Sequence, residues 1–229
     1  TIKKLLAYNK IGFKIVTDKN YSSPVKKRIV QNDHQFCRLD DESYIQLKKK
    51  DEISIINFIK KNVYKFQSLI ISDYSKGFLT PFLIKNVINI FKKNKKNIYT
   101  DPKNRNIELY KYSNFICPNL KEFYDFFDYQ KLPFTKKSTS KLFNKTKANA
   151  FVVTRGSSGI SVFFNKGKKI NISQTDVNVY DVTGAGDTFI GLISYLLSNE
   201  IDLVNSIRIS SYACSKVVQK KHTAVLFLP

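Results

Sequence analysis

Asp181-Val182-Thr183-Gly184-Ala185-Gly186-Asp187-Thr188-Phe189 is the stretch that decides how the rest of this chain folds. Its two glycines permit a tight turn and leave bare amide hydrogens at the first turn of a helix predicted to run to about Leu197. The partial positive end of such a helix attracts anions. Asp187 stands beside that anion hole, spaced so that its carboxylate could take a proton from a hydroxyl. The amides of Ala185, Gly186 and Asp187 would then hold a migrating phosphoryl group. A plainer role for Asp187 is to complement the helix dipole and nothing more. No Gly-Lys-Ser/Thr follows, so this is not a Walker loop, and the spacing differs from the GxGxxG of dinucleotide sites.

Upstream, short β-branched or aromatic runs alternate with longer stretches of helical apolar spacing, which is the α/β pattern. Ser68–Asp73 reads as a buried strand, and Leu83, Val87, Ile88 and Phe91 mark the buried stripe of the helix after it. Asn97–Asp101 and Asn114–Cys117 read as the next strands. Three polar clusters follow the three strands: Asp73-Tyr74-Ser75-Lys76-Gly77, Asp101-Pro102-Lys103 and Pro118-Asn119-Leu120-Lys121-Glu122. Open α/β sheets place their ligands at such carboxyl ends. After Ala150 the texture becomes a meander, with strands at Phe151–Arg155, Ile160–Phe164 and Lys169–Ile172, and a last helix follows from about Asp202 to Lys220. Val25–Val30 and Gln35–Asp40 read as two strands around the turn Asn32-Asp33-His34, in a small sheet or lid outside the main layer.

The chain has 229 residues, 42% of them hydrophobic and 14% aromatic, which excludes a disordered tail and predicts one globular domain. No run reaches the roughly 18 to 20 apolar residues of a membrane span, and Thr1–Asn20 lacks the features of a secretory signal, so a cytoplasmic protein without a membrane partner is expected. Cys37, Cys117 and Cys214 are odd in number and far apart, which predicts reduced, structural thiols. His34 and His222 are too isolated for a metal site or a triad. The net charge of +21 raises the alternative of a nucleic-acid-binding domain, whose affinity would fall steeply with salt. Yet the lysines come with many Asn, Ile, Phe and Tyr, all with A/T-rich codons, and biased genome composition accounts for that pattern. No nucleic-acid partner is expected, and Lys92-Lys93-Asn94-Lys95-Lys96 reads as a solvated face.

Asp181–Asp187 (DVTGAGD) resembles the C-terminal signature of the PfkB/ribokinase-type sugar kinases. Asn119-Leu120-Lys121-Glu122 resembles that family's NxxE motif, in which Asn and Glu help organise Mg2+ and the ATP phosphates; a capping box would use the same pair. Thr154-Arg155-Gly156-Ser157-Ser158-Gly159 resembles the family's TxGxxG nucleotide loop, although a hairpin turn would use the same glycines. Val25–Arg28, Gln35–Asp40, Asp73–Gly77, Asp101–Lys103 and Cys117–Phe123 are most similar to heptose 7-phosphate kinases, and together they cover most of the chain. The resemblance implies a ribokinase-like three-layer α/β/α sheet with a small β lid at residues 24–40 and a catalytic loop and helix start at residues 181–189. It implies ATP and Mg2+ as cofactors, a sugar phosphate as the second substrate, Gly184, Ala185, Gly186 and Asp187 at the reacting phosphate, and a homodimer as one allowed assembly. Lys26, Arg28 and Arg38, with Asp73 and Lys76, become the candidate sugar-phosphate contacts, an arginine fork being suited to two phosphate oxygens. Exposed strand residues of a lysine-rich protein would look the same.

Two departures bear on activity. The family's opening strand with a sugar-binding Asp, and its GGxxxN segment, do not precede or occupy Thr1–Lys10, so the domain reads as N-terminally incomplete and its sugar pocket as partial. Lys221-His222-Thr223 stands where a Gly is expected before the Thr, and with the sequence ending at Pro229 no fused nucleotidyltransferase domain is expected. The expected activity is transfer of phosphate from ATP to the anomeric hydroxyl of D-glycero-β-D-manno-heptose 7-phosphate, on the route to ADP-heptose and lipopolysaccharide. Another sugar kinase, or a silent nucleotide-binding remnant, is the alternative.

Overall fold

The computed structural model describes residues 2–20, 23–31, 34–42, 44–103, 106–127, 136–174 and 177–220. Asn32 and Asp33 of the expected turn, and the stretch Lys221-His222-Thr223, lie outside them. In chain order the elements are α1 (Ile2–Tyr8), β1 (Val25–Gln31), β2 (His34–Asp41), α2 (Lys49–Asn62), β3 (Ser68–Ser72) and α3 (Pro81–Lys93). Then come β4 (Asn97–Asp101), β5 (Phe115–Ile116), α4 (Leu120–Asp125), α5 (Lys136–Thr146) and β6 (Ala150–Thr154). The chain continues with β7 (Ile160–Phe164), β8 (Lys169–Ile172), α6 (Ala185–Ser198) and α7 (Leu203–Val218).

Six strands form one sheet in the order β3-β4-β5-β6-β7-β8. The pairs from β3 to β6 are parallel, and β6-β7 and β7-β8 are antiparallel. Successive strand side chains point to opposite faces, and that alternation divides the core in two. Ile98, Ile116, Phe151 and Val153 face one layer, where they meet Leu83, Ile84, Val87, Ile88 and Phe91 of α3. Tyr99, Phe115, Ala150 and Val152 face the other, where they meet Phe189, Ile190, Ile193 and Ile207 of α6 and α7. β6 is buried on both faces, hence its unbroken apolar run. β3 was expected to be buried, but it forms an edge of the sheet and leaves Ile70 40% exposed.

Local chemistry fixes the helix starts. Thr80 caps α3 by accepting from the Leu83 amide at 3.1 Å, and Pro81 occupies the first turn, where its missing N–H costs nothing. The Thr80 hydroxyl in turn donates to the buried carboxylate of Glu52 on α2, joining the two helices. Asp202 caps α7 through the amides of Val204 and Asn205. At the opening of the chain α1 buries no side chain.

β1 and β2 form a separate antiparallel ribbon. Its register pairs Lys26 with Asp40 and Arg28 with Arg38, so these four share one face, while Ile29, Cys37 and Leu39 share the other.

Candidate active site

The parallel strands deliver their polar clusters to one end of the sheet. Asp73 follows β3, Asp101 ends β4, Asn119 follows β5 and Thr154 ends β6. Asn119 and Thr154 form an isolated parallel bridge, and the Thr154 amide donates to Pro118 O at 3.1 Å. The two motifs read separately in the sequence are therefore neighbours.

α6 begins at this same end. Gly184 caps it with φ 80°, a conformation that suits glycine, and the Thr183 amide donates to Asp181 Oδ1 at 2.8 Å. The Ala185 amide turns back to Val182 O at 3.2 Å, and the Thr188 amide donates to Gly184 O at 2.9 Å. Among the described residues this leaves the amides of Gly186 and Asp187 without an acceptor. Of the three amides expected to meet an anion, that of Ala185 already has a partner. A Cβ built on Gly186 would meet nothing within 4 Å, so this turn faces open space.

Two clefts share Thr154, Gly186 and Phe189. The larger, about 480 Å³, has apolar walls that include Ile160, Val177, Val179 and Val182, with Thr154, Gly156 and Gly159 of the TxGxxG stretch on its rim. Gly159 has φ 82°, and a Cβ there would lie 2.1 Å from Ile172 O, so glycine is required for β8 to approach. Cys214 also lines this cleft; its Sγ donates to Ala185 O at 3.3 Å, and burial pushes the thiol up to about 12, which keeps it protonated. All three cysteines are free. An apolar slot with a few backbone polar groups fits a nucleobase and its sugar.

The smaller cleft, about 210 Å³, is lined by Asp101, Lys103, Asn119 and Glu122 together with the shared residues. Asn119 and Glu122 do form a capping box, each amide donating to the other's side chain at 2.9 Å. Glu122 Oε1 also accepts from Lys103 Nζ at 2.8 Å. Asp101 is pushed up to about 7, first by burial and then by the carboxylates of Glu122 and Asp187, with Lys103 opposing. A magnesium ion fits this donor set in kind, because crowded hard oxygens repel one another until a cation joins them. No three of the described His, Cys, Asp or Glu residues are grouped closely enough to hold a metal alone. Such an ion would take its remaining ligands from water and from phosphate.

The sugar-side candidates divide. Arg28 of the ribbon reaches the loop before α6, its guanidinium donating to Thr183 Oγ1 at 3.1 Å. Lys26 pairs with Glu42 at 3.4 Å, and Lys76 bonds the same carboxylate. The Lys76 bond, more than Lys26, holds Glu42 below its usual range. Arg38 is held by Asp40 through two bonds of 2.8 and 2.9 Å. Asp73 is buried, and both its oxygens are occupied, by the Ser75 amide and the Tyr110 hydroxyl. These bonds tie its carboxylate to its own loop and to Tyr110. Leu120 packs on the core and Lys121 is exposed on α4; neither lines the two clefts. The structure also brings Tyr74, Asp101 and Glu42 to this end of the sheet. Their only signal was membership of a polar stretch at a strand end.

Comparison with known proteins places this geometry. The profile of the pfkB family carbohydrate kinases matches residues 2–229. The bifunctional protein HldE of Aliarcobacter butzleri is 31% identical over 231 residues, covering 99% of this chain and 48% of that protein. HldE of Campylobacter jejuni strain RM1221 is 31% identical over 219 residues, 95% of this chain and 46% of that protein. The chain thus spans about half the length of these relatives. Phosphofructokinase-2 from Escherichia coli, in complex with potassium, superposes with a TM-score of 0.78 at 17% identity, over 97% of this chain and 72% of that one. Arabidopsis thaliana ribokinase, complexed with ribose and ATP, gives 0.62 at 19% identity, over 87% and 64%. These likenesses carry the ribokinase-like fold, and with the profile match over residues 2–229 this chain belongs to the pfkB family of carbohydrate kinases.

Proposed function

We propose that the chain transfers the γ-phosphoryl group of ATP to the anomeric hydroxyl of D-glycero-β-D-manno-heptose 7-phosphate. The observation that carries this is the start of α6, where Gly186 lines both clefts next to Asp187 and, among the described residues, the amides of both lack an acceptor. The apolar cleft holds the adenosine, with Thr154, Gly156 and Gly159 at its rim. The amides of Gly186 and Asp187 hold the charge of the migrating group, and Asp187 takes the proton of the sugar hydroxyl. Asn119, Glu122 and Asp101 would hold Mg2+, which when bound would neutralise charge on the phosphates. The heptose 7-phosphate assignment rests on the similarity of Val25–Arg28, Gln35–Asp40 and Asp73–Gly77 to heptose 7-phosphate kinases, with relatives named HldE in support.

Arg28, Lys26 and Lys76 receive the 7-phosphate in this account, the lysines leaving Glu42 to do so. A charge-assisted contact is worth about 1.5 to 3 kcal/mol. Arg28→Glu should therefore raise the KM for the sugar phosphate at least about tenfold and leave that for ATP within about twofold, as steady-state kinetics would reveal. The same assay tests the substrate. Heptose 7-phosphate should have a higher kcat/KM than fructose 6-phosphate or ribose in the full-length protein. A preference for fructose 6-phosphate would remove the heptose assignment and keep a pfkB-type sugar-phosphate kinase.

Gly186→Ala separates folding from catalysis. Alanine suits a helix better than glycine by roughly 0.5 to 1 kcal/mol, and here its methyl meets no protein atom within 4 Å. It would instead stand where phosphate oxygens approach the amides. The expected outcome is an unchanged or higher Tm with kcat lowered by about 10²-fold, the cost of losing one such donor. A variant with full activity would contradict the phosphate's location.

Both substrates are cytoplasmic small molecules, so a cytoplasmic enzyme follows from this function; among the described residues no helix is long and apolar enough to cross a membrane. The exposed Ile29 and Leu39 on one ribbon face support a homodimer. Sedimentation as a monomer at assay concentrations would count against that assembly.

A further inference from the structure

The loop after β3 touches a residue 113 positions away: the Tyr74 hydroxyl donates to Asp187 Oδ1 at 2.7 Å. Core packing does not account for the contact, because Tyr74 is 58% exposed. The loop is nevertheless held from several sides. The Asp73 amide donates to Asp101 O at 3.0 Å, and the Asp73 carboxylate takes the Ser75 amide at 2.7 Å and the Tyr110 hydroxyl. Ser75 adopts φ 52°, a left-handed conformation that costs a non-glycine residue about 1 kcal/mol or more. Gly77 has φ 90°, and a Cβ there would lie 2.5 Å from Ile45 O. A strained, over-determined loop therefore presents an exposed phenol to one carboxylate oxygen.

We infer that Tyr74 is a positioning residue for the phosphoryl transfer proposed above, on which this role rests: by holding Oδ1 of Asp187 it leaves Oδ2 as the oxygen that receives the sugar proton. Among the described residues Oδ2 has no hydrogen-bond partner. Asp187 is exposed on the first turn of α6, so without a second anchor its carboxylate would rotate among several staggered orientations. In the step itself the sugar O–H bond breaks and its proton passes to Oδ2. The sugar oxygen bonds to the γ-phosphorus, and the bond from that phosphorus to the ADP oxygen breaks, its electron pair leaving with ADP. Tyr74 keeps its proton throughout. Burial, and then the bond to Asp187, push its phenol above the usual tyrosine range, so it remains a donor.

In the full-length protein, Tyr74→Phe should lower kcat about tenfold, the value of a hydrogen bond to a charged group, with the KM for ATP and sugar phosphate unchanged. In an Asp187→Asn background the same change should have no further effect, because the carboxylate it serves is gone. A tenfold loss confined to the Asp187 background supports the role. Equal factors in both backgrounds, or no loss in either, overturn it while leaving Asp187 as the base. Full turnover by Asp187→Asn alone would end both assignments.

Discussion

Asp187→Asn is expected to lower sugar-dependent ADP production by about 10²- to 10⁴-fold while ATP binding survives, the range that general-base catalysis supplies. The substitution keeps size and shape at the first helical turn, so the backbone amides at positions 186 and 187 still meet the phosphates. What disappears is the carboxylate that, in the proposed step, accepts a proton from the sugar hydroxyl. Binding to the apolar cleft should be unaffected, because Asp187 is not among its lining residues. The check is paired: single-turnover kinetics for the loss, and titration with a fluorescent ATP analogue for the binding. Comparable losses of rate and affinity would mean that Asp187 serves the fold of the loop and not the chemistry.

The second large effect concerns stability. Asp101 goes from a folded value of about 7 to the ordinary aspartate value of 3.8 when unfolding exposes it. Between those values the folded chain retains a proton that the unfolded chain has released, so stability falls as pH rises through this window and levels off above about 7. The shift amounts to roughly 4 kcal/mol at its full extent. Asp101→Asn removes the charge without changing the shape. Relative to the parent, its stability should be near equal at about pH 4, rise through pH 5 to 7, and exceed it by up to roughly 4 kcal/mol at pH 8. Urea unfolding across that range measures the difference; one that stayed flat with pH would mean that burial and the Glu122 and Asp187 charges do not act on Asp101 as described. Adding Mg2+ should narrow the gap at pH 8, since the ion supplies the counter-charge that Asp101 lacks.

Much of the frame could be read from residues alone because its signals are local. Asn97–Asp101, Ile160–Phe164 and Lys169–Ile172 are strands over the predicted residues, and the other strand ends of the sheet fall within one residue of the predicted ones. The glycine pair at 184 and 186 announced a helix start because few other residues permit that turn. α2 carried a weaker signal. Its inward stripe is Glu52, Ile55, Ile56 and Ile59, correct in spacing for a helix but opened by a charge, and that charge is satisfied by Thr80, 28 residues away. The same distance problem hid the parts of the site that depend on partners. Asp73 stands in a polar stretch at a strand end, and only the fold shows that Tyr110 and the Ser75 amide bond its oxygens. Arg38 and Arg28 look equivalent in sequence, whereas in the fold Arg38 bonds Asp40 and Arg28 bonds Thr183. Tyr74 had no distinguishing local feature, and only the fold brings it to Asp187. Types of residue at strand ends are thus visible in sequence, whereas the assignment of each to ligand, partner or scaffold is set by which hydrogen bonds the fold completes.

The most direct measurement is 31P NMR of the full-length protein incubated with ATP, Mg2+ and D-glycero-β-D-manno-heptose 7-phosphate. The account predicts loss of the ATP γ-phosphate resonance in step with ADP formation and a new anomeric phosphate on the heptose, all dependent on the sugar and on Asp187. ATP that persists unchanged, or phosphate released to water at a rate indifferent to the sugar, would contradict it.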